Sequence, residues 1–368
     1  MRIGILTLPL HTNYGGILQA YALQTVLERM GHEVMVIDTP NIKPTPSLFT
    51  LSKRLIKRLF GKRVGVFFEW KHNKEYPIIS QYTQPFVDKY IHRKVVNTPD
   101  ELKKEDFDAI VVGSDQIWRP IYYKNIENAY LAFAKDWDIK RIAYAASFGT
   151  DDWEYSKNQT VVCKELLKIF DAVSVRESSG IQLCKEHFFV DALHLLDPTM
   201  LLDKDDYIKQ INIKDITKST GNLLIYILDE TKEKRDLIEY TSKKYNLKSF
   251  KVNSRVDDWS APINERIQPS VEQWLRGFYD AKLIVTDSFH ACVFSILFNK
   301  PFFVIANEKR GYTRFSSLLN LFNLNDRLIN NVTDINYSKE IHWEKVNKNL
   351  ETLKMNSINF FKILNYGI

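Results

Sequence analysis

Two adjacent glycines near the start of the chain lie where an apolar run gives way to a helix-like pattern. The run at 2–8 predicts a strand, and the Ala- and Leu-rich stretch at 17–30 predicts a helix. Backbone N–H groups at such a helix start have no partner within the helix, so they suit an anion or a polar ligand. The alternative is that the glycines only let the helix pack closely on its strand. The candidate ligand-binding residues of this turn are Asn13, Tyr14, Gly15, Gly16 and Gln19.

A second candidate cluster follows the predicted strand at 108–112. Ligands of open α/β sheets bind at the carboxyl ends of strands, which is where Ser114, Asp115 and Trp118 stand in the sequence. Asp115 is a candidate general base or a ligand of sugar hydroxyls, and Trp118 can stack on a sugar face. The alternatives are that Asp115 caps the next helix and that Trp118 is only a packing residue.

Arginines follow two further predicted strands. Arg176 comes directly after the strand at 172–175, and Arg310 and Arg314 follow the strand at 302–306. Arginine recognises carboxylate and phosphate groups through paired hydrogen bonds, so these residues predict an anion site. The alternatives are an ion pair with a neighbouring acid for Arg176 and a solvated loop for the other two.

A histidine stands at another strand-to-helix junction. The predicted strand at 283–286 is followed by Ser288 and then by His290, which opens the next predicted helix at 289–298. Near the positive end of a helix dipole, a histidine can donate to a phosphate and exchange protons near neutral pH. His290 is therefore the first candidate catalytic residue, with a structural histidine as the alternative.

Strand-like and helix-like patterns alternate along the chain, which predicts an α/β fold with parallel sheets covered by helices on both faces. The other predicted strands are 33–38, 141–147, 223–228 and 248–252. The other predicted helices are 159–170, 178–185 (capped by Ser178), 232–244, 271–279 and 313–322. These elements form two series, which predicts two doubly wound domains.

The polar stretch at 204–221 is the best boundary between the two series. We therefore predict a first domain at 1–210 and a second, donor-binding domain at 211–340. The first domain carries a long insertion at about 39–106, between its second and third predicted strands. The helix-prone segment 341–368 is expected to return and pack on the first domain.

Composition excludes several classes of protein. The 368 residues carry a mild net charge of +6, without the dense basic stripe or motifs of a nucleic-acid binder. No apolar stretch approaches the roughly 20 residues that span a bilayer. Because the first predicted strand begins at residue 2, no signal peptide is expected. Three scattered cysteines fit a reduced cytoplasm. No metal motif is present, so neither metal nor cofactor is expected.

One segment of the insertion is both basic and amphipathic. Within 51–63, apolar residues recur at helical spacing while every charged residue is basic, and aromatic residues follow up to position 70. The basic residues are Lys53, Arg54, Lys57, Arg58, Lys62 and Arg63. Such a segment can lie in a membrane interface, which predicts a peripheral contact through 51–70 at the inner face of the plasma membrane. The alternative is a surface helix packed on its own domain.

Taken together, these segments resemble the polysaccharide pyruvyl transferase family. The matching stretches follow one another over roughly 1–330, at 13–24, 112–118, 143–149, 173–177, 197–199, 286–291 and 314–319. The resemblance implies a fold similar to GT-B glycosyltransferases, in which two Rossmann-like domains face a cleft.

The resemblance also implies an activity. Members of that family transfer the enolpyruvyl carbons of phosphoenolpyruvate to a sugar and form a cyclic pyruvate ketal across two hydroxyls. Arg176 and His290 match the positions expected to hold this donor. Some relatives have an arginine where this chain has Ser288, so Arg310 or Arg314 would have to supply the missing positive charge.

In the mechanism that follows, His290 contacts phosphate and transfers a proton, while Asp115 activates the acceptor. The acceptor is a sugar of an exopolysaccharide, capsule or cell-wall glycan, either lipid-linked or carried by a nucleotide. Two alternatives stay open from the sequence. One is a GT-B glycosyltransferase that uses a nucleotide sugar, and the other is a non-catalytic component of glycan assembly.

Overall fold

The computed structural model describes residues 1–40, 42–62, 64–210, 212–305, 312–329 and 339–365. Within these ranges the chain forms two parallel sheets with helices on their faces. The central strands of both sheets are short, mainly apolar runs, buried on both faces as parallel strands require.

The first sheet has seven strands in the order β3-β2-β1-β4-β5-β6-β7. They are β1 (Arg2–Leu6), β2 (Glu33–Asp38), β3 (Arg93–Val95), β4 (Ala109–Val112), β5 (Lys140–Ala146), β6 (Ala172–Val175) and β7 (Leu193–His194). The direction of winding reverses between β1 and β4, whose Leu6 and Val112 are directly paired. Ligands of such sheets bind in the crevice at this reversal.

The second sheet has five strands in the order β12-β11-β10-β8-β9. They are β8 (Leu223–Tyr226), β9 (Ser249–Phe250), β10 (Leu283–Thr286), β11 (Phe302–Ile305) and β12 (Leu328–Ile329). Its winding reverses between β8 and β10. The predicted fold class, α/β with two doubly wound Rossmann-like sheets, is therefore confirmed. The boundary near residue 210 stays a prediction.

Thirteen α-helices lie in the described ranges. They are α1 (Tyr14–Arg29), α2 (Leu48–Leu59), α3 (Phe68–Ile79), α4 (Gln84–Tyr90), α5 (Lys157–Leu167), α6 (Ser178–Leu183), α7 (Lys204–Gln210), α8 (Lys232–Lys244), α9 (Ile263–Arg266), α10 (Val271–Asp280), α11 (Phe289–Leu297), α12 (Tyr312–Phe322) and α13 (Trp343–Phe360).

Most predicted elements are present, with some differences at their ends. The predicted cap of α6 was wrong: Glu177 stands at its N-cap and Ser178 is already helical. The Ser178 hydroxyl instead lies 2.8 Å from that of Ser317 on α12, and so joins the two domains. The predicted strand at 2–8 ends at Leu6, which leaves residues 7–13 as a loop leading to α1.

The insertion contributes more than a loop. It holds α2, α3 and α4 and returns as β3, which pairs with β2 through Val36 and Arg93. Its helix α3 also reaches the second domain, where His72 stacks on Trp259 with ring centroids 5.6 Å apart. The insertion therefore bridges the two domains on one side.

The C-terminal segment contacts the first sheet. The ring of Phe361 lies 4.5 Å from that of Tyr144 on β5, and Ser357 Oγ accepts a hydrogen bond of 3.2 Å from Leu196 N–H. Within the described ranges, no helix has the length and apolar character needed to cross a bilayer. The three cysteines are buried and not disulfide-bonded.

Candidate active site

The points at which the winding of the two sheets reverses lie next to each other. The first turn of α1 follows β1, and His290 stands at the start of α11, after β10. A Cβ atom added to Gly15 would lie only 1.9 Å from His290 Nδ1. Only glycine at this position leaves room for the imidazole, so the close contact of the two domains explains this glycine.

Asn13 caps α1 and contacts the next strand end. Its Oδ1 accepts a hydrogen bond of 3.1 Å from Gly15 N–H, and its Nδ2 donates to Asp115 Oδ2 at 3.4 Å. Gly16 lies beside this pair, since a Cβ added there would be 3.6 Å from the same Asp115 oxygen. Asn13 is exposed, so it marks the solvent side of the site. One predicted anion-binding N–H of the helix is thus already occupied by the cap.

Asp115 is held in an unusual conformation. Its φ is +64°, in the left-handed region, which Asp tolerates better than most residues. Its carbonyl accepts a hydrogen bond of 3.0 Å from Ser147 N–H at the end of β5. The side chain, 4% exposed, is thereby turned toward the cleft instead of capping a helix.

A buried aspartate lies behind His290. Oδ2 of Asp197 is 3.4 Å from Nε2 of His290, and Asp197 also accepts 2.7 Å from the Thr199 hydroxyl. Burial alone would raise the pKa of Asp197, but the charges and hydrogen bonds of His290, Arg176 and Thr199 together hold it well below the usual value. Asp197 is therefore an anion at any working pH, and it can orient the His290 ring.

Arg176 is buried among carboxylates. Its Nη1 lies 2.9 Å from Asp197, its Nη2 3.7 Å from Asp115 and its Nε 3.9 Å from Glu177. Burial opposes its charge, yet Asp197, Asp115 and Glu177 together raise the pKa of Arg176. Its Nη2 and Nε have no hydrogen-bond partner among the described residues. The ion pair considered from the sequence is thus real, and it leaves Nη2 and Nε as buried donors without a hydrogen bond in the described part of the chain.

The ring of Phe289 lies near both arginines of the site. The guanidinium of Arg176 lies 4.5 Å from the centre of its ring and that of Arg314 lies 5.9 Å from it. Burial, followed by the charge of Arg176, lowers the pKa of Arg314 to about 10, while Glu177 and Asp115 oppose this shift. Arg314 therefore belongs to the same cluster. The predicted residue Arg310 lies outside the described residues.

The charges of this cluster nearly balance. Among its described side chains, the carboxylates of Asp115, Glu177 and Asp197 face the guanidinium groups of Arg176 and Arg314. The excess of positive charge expected from the sequence is therefore not found among these residues. His290 adds a positive charge only when it is protonated.

Tyr14 and Gln19, which the sequence predicts to bind a ligand, are both buried. Tyr14 stacks on Trp274, and its hydroxyl donates to Pro269 O at 2.7 Å, so it links the domains. Gln19 is fully buried and donates to the Thr7 hydroxyl at 2.8 Å, while its Oε1 has no hydrogen-bond partner among the described residues. A role of these two residues in ligand binding stays a prediction.

Ser114 and Trp118, two further predicted site residues, are also buried and hydrogen-bonded within the protein. The Ser114 hydroxyl donates to Asp197 at 3.0 Å, so it positions that carboxylate. Trp118 is fully buried, stacks on Tyr130 at 4.9 Å and donates from its indole N–H to Ala129 O at 3.2 Å. Trp118 is thus the packing residue of the alternative, since no face of its ring is open to a sugar.

Ser288 is the N-cap of α11 and is 8% exposed. Its side chain makes no capping hydrogen bond, while its N–H donates to the Thr286 hydroxyl at 3.0 Å. Its neighbour Asp287 turns away to a 2.6 Å ion pair with Lys234. Ser288 therefore stays beside His290 with a hydroxyl that no helix cap uses.

Sequence reasoning missed three residues of this site. Asp197 and Glu177 had no role assigned, although the Asp-Pro-Thr sequence after β7 and the acid next to Arg176 were visible signals. Glu177 Oε1 accepts hydrogen bonds of 2.7 Å and 3.1 Å from Phe148 and Gly149 N–H, which fixes the loop after β5.

The third missed residue is His11, in the loop between β1 and α1. Its Nδ1 accepts a hydrogen bond of 2.8 Å from Thr12 N–H, so a neutral ring carries its proton on Nε2. Burial lowers the pKa of His11, and the charges of Asp257 and Asp115 oppose that shift only in part. His11 therefore places a second imidazole near Asp115.

Two comparisons of sequence bear on this site. A family model described as polysaccharide pyruvyl transferase matches residues 13–309, which include Asp115, Arg176, Asp197 and His290. No curated protein matches the chain.

Solved structures resemble the chain in fold. The UDP-GlcNAc 2-epimerase from Methanocaldococcus jannaschii is 12% identical, with all of both chains covered and a TM-score of 0.50. A glycosyltransferase from Rickettsia africae ESF-5 is 13% identical, with 98% of this chain and 94% of that chain covered and a TM-score of 0.49. At such identities the likeness shows the GT-B type fold alone.

Proposed function

The chain belongs to the polysaccharide pyruvyl transferase family, and from this premise we propose that it transfers the pyruvyl group of phosphoenolpyruvate to a sugar, forming a cyclic ketal. The acceptor is a sugar of a bacterial exopolysaccharide, capsule or cell-wall glycan. One observation carries the proposal: His290 of the second domain is held between the first turn of α1 and buried Asp197 of the first. A proton donor therefore stands where both sheets place their ligands.

In this proposal the two arginines, Arg176 and Arg314, bind the donor. Phosphoenolpyruvate carries a carboxylate and a phosphate, and Arg176 offers Nη2 and Nε, which lack hydrogen-bond partners among the described residues. Arg314 adds a second buried cation, 5.9 Å from the centre of the Phe289 ring. Arg176 keeps its ion pair with Asp197 while its other two nitrogens bind the anionic donor, so the carboxylate cluster stays in place.

The reaction begins with a proton. His290, oriented by Asp197, gives its proton to the methylene carbon, which becomes the methyl group and leaves an oxocarbenium-like centre at the adjacent carbon. A sugar hydroxyl attacks that centre, and Asp115 takes the hydroxyl proton. The bond from that carbon to the phosphate oxygen then breaks. The second hydroxyl closes the ketal and its proton returns to His290, while the proton held by Asp115 leaves with the phosphate.

The carboxylates have a purpose in this scheme. Charge at the reacting carbon develops as positive, so the anions Asp115 and Asp197 stabilise it while the arginines hold the leaving phosphate. This explains why a site for an anionic donor has nearly balanced charge. Asp115, turned inward by its left-handed backbone, is on the acceptor side next to exposed Asn13.

The test is incubation with phosphoenolpyruvate and a panel of glycan acceptors, lipid-linked and nucleotide-bound. The proposal expects phosphate release that depends on acceptor, and an acceptor heavier by phosphoenolpyruvate minus phosphoric acid. His290→Ala should lower turnover by roughly 10²–10⁴-fold, the range for a lost acid or base. Stabilisation of the fold by a nucleotide sugar but not by phosphoenolpyruvate would favour a glycosyltransferase instead.

A further inference from the structure

The helix α2 exposes most of its side chains to solvent. None of its residues is buried, and Leu48, Leu59 and the following Phe60 are 85%, 86% and 80% exposed. In a helix packed on its own domain the apolar stripe would be covered. The apolar stripe of α2 is therefore exposed, while Leu51 and Arg54 are partly covered. The alternative from the sequence, a surface helix packed on its own domain, stays a prediction.

The exposed side chains are sorted by type around this helix. Successive residues turn by about 100°, which places Leu48, Leu55 and Leu59 within one narrow stripe. Lys53 and Lys57 lie on the opposite side. We call the apolar stripe with its flanking basic residues the α2 surface. It is defined by Leu48, Phe49, Leu51, Lys53, Leu55, Ile56, Lys57, Arg58, Leu59, Phe60 and Lys62.

One arginine attaches the helix that carries this surface to the neighbouring helix α3. Arg54 forms two hydrogen bonds with Glu69 on α3, of 2.6 Å and 2.7 Å. Its charge is thus paired within the protein, whereas its basic neighbours Lys53, Lys57, Arg58 and Lys62 form no ion pair among the described residues. The pair ties α2 to α3, which in turn contacts the second domain through His72 and Trp259. The α2 surface is therefore held outward from a helix that is itself anchored.

We propose that the α2 surface docks the chain on an anionic lipid bilayer. The stretch 48–62 contains four cations besides Arg54, namely Lys53, Lys57, Arg58 and Lys62, and no acid. Leucine and phenylalanine side chains enter the boundary between headgroups and acyl chains, while lysine and arginine reach the negative headgroups around them. An anionic bilayer therefore offers contacts to both the apolar stripe and the basic residues around it.

Charge disfavours a second copy of the chain as the occupant. A symmetric contact places the same patch of each copy against the other. The contact would then bring together two surfaces that each carry four cations, Lys53, Lys57, Arg58 and Lys62, and no acid. Docking on a bilayer goes beyond the proposed reaction, because it needs neither His290 nor the cleft.

The test is sedimentation with vesicles at low salt. One set contains phosphatidylcholine with phosphatidylglycerol, and the other contains phosphatidylcholine alone. We expect binding to the first set only, weakened by added salt. The variant Lys53→Gln, Lys57→Gln, Arg58→Gln should bind about 100-fold less tightly, from the contribution of each basic residue near such a surface. Arg54 is kept, because Glu69 already pairs it.

A second variant removes the apolar stripe by Leu48→Ser, Leu55→Ser and Leu59→Ser. It should also lose binding, and thermal unfolding should be unchanged because none of these side chains is buried. The matched control replaces three exposed lysines elsewhere, Lys157, Lys168 and Lys185, with Gln, and should bind like the parent.

Four results would overturn the proposal. They are no binding of the parent to anionic vesicles, equal binding by the basic-residue variant, equal loss in the matched control, and a dimer in light scattering that the Ser variant abolishes. The last would assign the surface to contacts between copies. Each of these readouts is independent of catalytic turnover, so failure of the proposed reaction would not imitate any of them.

Discussion

Replacing Gly15 with Ala tests how closely the domains must meet. Gly15 lies in the first turn of α1 and is not among the residues with positive φ, so its backbone accepts alanine. The new Cβ would be 1.9 Å from His290 Nδ1, where contacts under 3.0 Å essentially never occur. The imidazole must therefore move by at least 3.0 − 1.9 = 1.1 Å.

A displacement of that size is expected to be costly for catalysis and mild for folding. Misplacing a reacting group by about 1 Å costs on the order of 10²-fold in rate. Alanine is a better helix former than glycine by roughly 0.5–1 kcal/mol, which offsets part of the lost contact between domains. Gly15→Ala should thus lower turnover by about 10²-fold, while its thermal midpoint stays close to that of the parent.

The neighbouring glycine supplies the matched control. A Cβ at Gly16 would be 3.4 Å from Asn13 Nδ2 and 3.6 Å from Asp115 Oδ2, distances of ordinary contact. Gly16→Ala should therefore keep most of the activity, measured as phosphate release from phosphoenolpyruvate with an acceptor that the parent uses. In a His290→Ala background the ring atoms are gone, so adding Gly15→Ala should cost little more.

Two results would refute this reasoning. The first is a Gly15→Ala enzyme as active as Gly16→Ala, which would mean that His290 need not occupy its observed position. The second is an equal loss from Gly15→Ala with and without the imidazole. The loss would then come from α1 itself and not from the contact with His290.

Two further predictions concern the carboxylate cluster. Arg176→Lys should weaken phosphoenolpyruvate binding at least tenfold in calorimetry, because a lysine cannot pair Asp197 and still offer two donors to a ligand; reduced stability with unchanged affinity would assign Arg176 to the ion pairs alone. Asp197→Asn should lower the free energy of unfolding by about 3–5 kcal/mol near neutral pH, because it leaves Arg176 buried without its nearest anion. The lowered pKa of Asp197 gives the parent stability that is complete above the unfolded value of 3.8 and is lost as pH falls below it. The unfolding free energy of the variant should therefore fall less steeply from about pH 5 to pH 2, and parallel curves for the two proteins would contradict this.

The sheets were predictable because their signals are local. Strands such as β4, with the sequence Ala-Ile-Val-Val, are short apolar runs bounded by turns, and both winding reversals follow from their order. The short strand β3 was not predicted, since Arg-Lys-Val has no apolar pattern and forms only by pairing with β2. The extended α2 surface was visible as a pattern, but its exposure was not.

The position of the site could be predicted from the sequence better than the roles of its residues. Strand ends located Asp115 and Arg176 on one edge of the first sheet, because parallel strands present their carboxyl ends together. His290 follows a strand of the second sheet, so its place beside them depends on how the two domains meet. A motif does not tell which way a side chain points, so Trp118 was expected to face a ligand and is packed inside instead. The pairing of Asp197 with His290 joins distant parts of the chain, which no spacing in the sequence reveals.

Proton transfer from His290 to the donor methylene is the central claim, and turnover in heavy water measures it directly. Mass spectrometry of the acceptor after reaction with phosphoenolpyruvate should show a pyruvate ketal whose methyl group carries one hydrogen from solvent. His290→Ala should form this product roughly 10²–10⁴-fold more slowly while still binding phosphoenolpyruvate. A product without solvent hydrogen in its methyl group, or an undiminished rate in the variant, would contradict the mechanism.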